Sequence, residues 1–95
     1  MIVLIATYRG QPGKGDVIAP LLLELAGRSR AEPECELYLV NRSTTDPDTF
    51  VLYEQYRDDA AIAAHRETSH FQELAVGQII PMLRERVFDT YQLVQ

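Results

Sequence analysis

CELYLVNRSTTDPDTFVLYEQYR, residues 35–57, is the stretch that decides the fold. Its first part sets Cys35, Leu37 and Leu39 against Glu36, Tyr38 and Val40, the two-residue alternation of a strand running to Ser43. Thr44-Thr45-Asp46-Pro47-Asp48 is a polar turn. Phe50 to Arg57 reads as a second strand. So short a connection joins antiparallel neighbours, so the middle of the chain is a β-hairpin.

Outward from the hairpin the period changes on both sides. Upstream, Val17, Leu21 and Leu25, with Ile18, Leu22 and Ala26 beside them, form one apolar stripe on a helix from Asp16 to about Arg30. Asp16 is the expected N-cap. Pro20 would crowd the first turn, which moves the expected start towards Ala19. Ala31-Glu32-Pro33-Glu34 breaks this helix. Gln11-Pro12-Gly13-Lys14-Gly15 separates it from a β-branched run at residues 2–9, the first strand. Downstream, Asp58-Asp59 places acid at the start of a short alanine-rich helix ending near Arg66. Thr68 or Ser69 caps another, carrying Phe71, Leu74, Ala75 and Ile79, which Pro81 interrupts. Val87 to Val94 is the last strand. The order β-α-β-β-α-β is the α+β, ferredoxin-like pattern: one antiparallel sheet with its helices on one face. Ninety-five residues accommodate a single domain, residues 1–95.

Apolar residues fall on both faces of most strands. Phe50, Leu52 and Tyr56 oppose Val51 and Tyr53; Leu4 and Ala6 oppose Val3 and Ile5; Val87, Tyr91 and Leu93 oppose Phe88 and Val94. A second apolar sheet face needs cover, and a two-fold homodimer through that face is the expected solution. The net charge of −5 argues against nucleic acid and anionic membrane surfaces as partners. No apolar run is long enough to span a bilayer. Met1-Ile2-Val3-Leu4-Ile5 lacks a positive leader and reads directly as strand, so a cytoplasmic protein is expected. The lone Cys35 gives neither an internal disulfide nor a metal framework and reads as a small core residue.

The ordered set Phe50-Val51-Leu52-Tyr53-Glu54-Gln55-Tyr56-Arg57-Asp58, Ala60–His65 and Thr68-Ser69-His70-Phe71, with Pro33-Glu34-Cys35 and Asp46-Pro47 ahead of it, resembles the antibiotic-biosynthesis-monooxygenase family, including its quinol-monooxygenase-like members. The resemblance implies a dimeric α+β barrel with an apolar pocket between sheet and helices. It also implies oxidation of phenols, quinols or aromatic polyketides by molecular oxygen without flavin, haem or metal. Two positions depart from the family pattern: Glu34 stands where glycine is usual, and Tyr56 where tryptophan is. Ala75 stands where the haem-degrading branch has its histidine, and the chain has no tryptophan, so haem is not expected.

Without a cofactor the substrate itself must be the reductant. The protein then has to remove a proton and hold the anion in a dry pocket beside oxygen. Histidine has the pKa for that base. His65, at the end of the short helix, is the expected catalytic base, with a helix-capping role as its structural alternative. Glu54, a charge in mid-strand, needs a partner such as Arg57, an arginine from another strand or His65 if buried; against His65 it would orient the imidazole. Tyr56, Tyr53, Asn41, His70 and Phe71 are the expected substrate contacts, with packing or turn roles as their alternatives. His65 and His70 are separated by a helix break and are not expected to share a face, so no metal site is expected. The reaction expected is cofactor-independent monooxygenation of a small aromatic substrate with O2. The competing readings are a non-catalytic ligand-binding dimer and a non-redox isomerase or cyclase.

Overall fold

The hairpin forms as expected in the computed structural model, which describes residues 1–95. Strand β2 (Cys35–Arg42) and β3 (Thr49–Tyr56) pair antiparallel, and β1 (Ile2–Gly10) pairs with the far side of β3. The last strand, β4 (Leu83–Gln92), pairs with β1, giving the order β2-β3-β1-β4. Helices α1 (Gly15–Ser29) and α2 (Asp59–Glu67), and a wide π-type helix, α3 (Phe71–Ile79), complete the expected element order. No helix is long and apolar enough to cross a membrane.

Register fixes which side chains meet the helices. Glu54 lies between Leu4 of β1 and Tyr38 of β2, and Leu52 lies between Ala6 and Val40. Because side chains alternate, the even-numbered residues of β1, β2 and β3 face the helices. Leu52, Phe50 and Tyr56 join Leu22, Leu25 and Ala26 of α1 in one continuous core. Odd-numbered residues form the opposite face. There Val3 is buried within the sheet, but Val87, Tyr91 and Leu39 are about half exposed.

Four local expectations are corrected. Helix α1 starts at Gly15 rather than near Ala19, and Asp16 is not its cap. The capping group comes from the hairpin turn: Asp48 accepts the Gly13 and Gly15 N–H groups at 3.0 and 2.8 Å. Only glycine allows that approach, since a Cβ on Gly15 would lie 2.1 Å from the Pro47 carbonyl. Gly13, at φ +82°, is the one left-handed residue of the turn. Pro20 sits inside the helix on its exposed side, where water can satisfy the carbonyl it leaves unpaired. The inward stripe is Ile18, Leu22, Leu25, Ala26 and Ser29, rotated from the expected one so that Val17 is exposed.

Strand β4 begins at Leu83, four residues before the expected Val87. Leu83-Arg84-Glu85-Arg86 has no apolar alternation to announce it. Pairing to Tyr8, Arg9 and Gly10 makes it a strand, aided by an Arg9–Glu85 ion pair at 2.7 Å.

Candidate active site

Two carboxylates and two histidines stand on the helix-facing side, Glu54 and His65 buried, Glu32 and His70 partly buried. Glu54 is 3% exposed in mid-sheet. It pairs with none of the expected partners: Tyr56, two residues along the same strand face, donates its hydroxyl to Glu54 at 2.6 Å. Arg57 is exposed and faces Glu34 at 3.6 Å. Burial pushes the Glu54 carboxyl up to about 7, against the opposing pull of the Tyr56 hydrogen bond and Arg86.

His65 is buried in the last turn of α2. Its ring lies edge-on to Phe71 at 5.1 Å and tilted against Tyr56 at 5.3 Å. Nδ1 is 2.8 Å from Glu32, not Glu54. His70 reaches the same carboxylate oxygen with Nε2 at 2.7 Å. The expected helix break between the histidines is real, but it brings them together. Thr68 donates to the His65 carbonyl at 2.7 Å and accepts the Phe71 N–H at 3.3 Å, so the elbow between α2 and α3 is pinned from both sides. Burial lowers the His65 pKa, and the Glu32 hydrogen bond offsets part of that.

A carboxylate can only accept, so Glu32 fixes the proton of His65 on Nδ1 and leaves the Nε2 lone pair free. Nε2 has no partner within the chain. No fully buried side-chain nitrogen or oxygen is left unpaired, so Nε2 reaches accessible space. His65 lines a cavity of about 10 Å³ walled by Leu4, Ala6, Tyr38, Phe71 and Phe88, with Glu54 also on its wall. That is room for about one water-sized probe. Arg66 of α2 and Arg86 of β4 complete it. Each guanidinium lies 4.9 Å from the Phe88 ring centroid, and Arg86 donates to the Tyr8 hydroxyl at 3.3 Å. Neither arginine has a carboxylate within ion-pairing distance.

Of the expected site residues, His65, Glu54 and Phe71 share this cavity. Tyr56 touches it only through Glu54 and lines a second, half-open cavity of about 250 Å³ with Glu32, Cys35 and Thr68. His70 joins through Glu32. Tyr53 and Asn41 are not brought to the site: they are odd-numbered strand residues on the opposite sheet face. The Asn41 side chain donates to the Val51 carbonyl, and the Tyr53 hydroxyl accepts from Gln55. Cys35 is half-buried, with its thiol pushed up to about 11, chiefly by burial.

The sequence pattern that defines antibiotic biosynthesis monooxygenases matches residues 1–76. The chain belongs to the antibiotic biosynthesis monooxygenase family. Among its relatives, YcnE of Bacillus subtilis (strain 168), named as a candidate monooxygenase, is 36% identical over 72 residues, 76% of each chain. A crystal structure of an antibiotic biosynthesis monooxygenase superimposes with a TM-score of 0.92 at 32% identity, covering all of both chains. PA3566 of Pseudomonas aeruginosa gives 0.91 at 32% identity, covering 99% of this chain and 94% of that one.

Within this family frame, sequence reasoning missed Glu32, Arg66 and Arg86. Glu32 lies in a helix-breaking loop 33 residues from His65, and no periodicity or spacing links them. Arg86 fell in a segment not recognised as strand. Arg66 was visible only as a helix end.

Proposed function

We propose that the chain is a cofactor-independent monooxygenase acting on a quinol, phenol or aromatic polyketide-like substrate, with His65 as its base. The observation that carries this reading is the Glu32–His65 pair beside an apolar-walled cavity. The imidazole is held in one tautomer, with its basic nitrogen open and its pKa lowered by burial, so it is unprotonated at neutral pH.

His65 Nε2 takes the substrate O–H proton. The resulting anion is stabilised by Arg66 and Arg86, which lack anionic partners of their own. It is also the electron donor: it reduces O2 and forms a carbon–oxygen bond. Loss of water from that peroxide leaves one oxygen atom in the product as a carbonyl and carries the other away. Two hydrogens leave the substrate and O2 is fully reduced, so no further reductant is needed. A cavity of about 10 Å³ does not hold an aromatic ring, so substrate entry requires Phe71, Phe88 or the arginines to move aside.

The working unit we propose is a cytoplasmic homodimer through the odd-numbered sheet face, supported by the exposed Leu39, Val87 and Tyr91 there. Oxygen uptake with electron-rich quinols and anthrone-like substrates tests the chemistry. It should be lost in His65→Ala with the fold intact. Unchanged turnover in that variant would remove His65 from the mechanism.

One observation favours a second reading. Glu54, at about 7, and His65 form an acid–base pair on one cavity. Such a pair suits a non-redox isomerase or cyclase. Substrate conversion under strict anaerobiosis would select that reading, and strict oxygen dependence would reject it.

A further inference from the structure

Glu32 is a carboxylate with an unusual set of neighbours. Its side chain is 15% exposed, and its ion-pairing contacts are two imidazoles, His65 at 2.8 Å and His70 at 2.7 Å; no lysine or arginine lies within 4 Å of it. The His65 side chain is 4% exposed and that of His70 15%. A carboxylate largely held away from water, with two imidazole nitrogens on one of its oxygens, is a seat for a cation.

The donor set specifies the kind of cation. One donor atom from each of Glu32, His65 and His70 lies within 4.8 Å of the other two. We propose that these three residues form a binding site for a divalent transition metal of the zinc type, two imidazole nitrogens and one carboxylate oxygen, with water as the fourth ligand. Tetrahedral ligands at about 2.0–2.1 Å from a metal stand about 3.3 Å apart. The two His–Glu contacts would therefore widen by about half an ångström each as the metal replaces the hydrogen-bonding protons. The residues are already positioned: Thr68 pins the elbow that carries both histidines, so little order has to be created on binding. The cavity of about 250 Å³ that Glu32 shares with Glu34 and Cys35 supplies an acidic entry path and space for the water ligand. Calcium and magnesium do not suit two imidazoles.

Occupancy has a consequence for His65. A neutral imidazole carries one proton; with a metal on Nδ1 that proton sits on Nε2, the nitrogen that faces the smaller cavity. Zinc would then convert the base into a donor and switch the site off. This consequence rests on the oxygenase reading, whereas the metal site does not.

Untagged, chelator-treated full-length chain titrated calorimetrically with ZnCl2 tests the site. One zinc per chain is expected, with at least tenfold weaker binding in His70→Gln and in Glu32→Gln. X-ray absorption of the zinc-loaded chain should show two imidazoles and an oxygen ligand, a readout that stands even if a variant folds poorly. Absence of stoichiometric binding, undiminished wild-type affinity in both variants, or a spectrum without imidazole would overturn the proposal. Because the titration is independent of turnover, an inactive chain that binds zinc through these residues would sink only the oxygenase reading.

Discussion

Replacing Glu54 by glutamine should change the pH dependence of stability more than any other single substitution in the sheet. Glu54 is 3% exposed, and its carboxyl stands at about 7 against an ordinary value of 4.5. The folded protein therefore holds this proton more tightly than the unfolded chain does. Stability from this group is fully present below pH 4.5 and is lost as pH rises towards 7. At about 1.4 kcal/mol per pH unit across that window, the wild type loses about 3 kcal/mol by pH 8. Little of this is screened, because the group is out of water. Glutamine resembles the protonated acid in shape and still accepts the Tyr56 hydroxyl, but it has no charge to expose. Urea unfolding of both proteins at fixed concentration, at pH 5 and pH 8.5, gives the comparison. The two should agree within about 1 kcal/mol at pH 5, and the variant should be more stable by about 3 kcal/mol at pH 8.5. Parallel stability curves would show that Glu54 ionises in place without cost, and that the buried acid drawn here is wrong.

His65→Ala should lower turnover of an accepted substrate by roughly 10²–10⁴-fold, with Glu32→Gln between it and the wild type, measured by oxygen uptake after circular dichroism confirms folding. Asp48→Ala removes the acceptor of the first α1 N–H, that of Gly15, and of the Gly13 N–H in the turn before it and should cost about 1–2 kcal/mol in denaturant unfolding; no change would mean that water replaces it fully. Leu25→Ala empties a fully buried core position and should cost about 2–5 kcal/mol by the same assay. Tyr91→Glu places charge on the outer sheet face and should halve the mass seen by light scattering; a wild type already monomeric at all concentrations would remove the dimer.

What the sequence made legible follows from the range of the interaction involved. The hairpin at residues 35–57 and the order of elements are written in the periodicity of the chain, and they fold as read; alternation also groups Phe50, Leu52, Glu54 and Tyr56 on one side of β3, but which side meets the helices is decided by packing. The start of α1 was misread because its capping carboxylate, Asp48, belongs to a turn 33 residues away from Gly15; the local clues, Asp16 as a cap and Pro20 as a breaker, both pointed the wrong way. The start of β4 was misread for a similar reason. Leu83-Arg84-Glu85-Arg86 has the composition of a loop and becomes strand through β1.

The site divides along the same line. His65 could be singled out from its residue type and its place at a helix end, but the choice of Glu54 as its orienting partner assumed that mid-strand charge and helix-end histidine must meet. They share a cavity wall instead, each with its own partner, Tyr56 for the acid and Glu32 for the base. That separation matters for the chemistry. A Glu54–His65 hydrogen bond would have tied the two titrations together and occupied a ring nitrogen with the raised acid. With Glu32 behind the imidazole, Nε2 stays free towards the cavity, and Glu54 remains a second, independently placed proton site on the same wall. The helix break at Thr68, which seemed to part the two histidines, is the bend that lets both reach Glu32, so a feature of the sequence that argued against a cluster is the geometric reason for one.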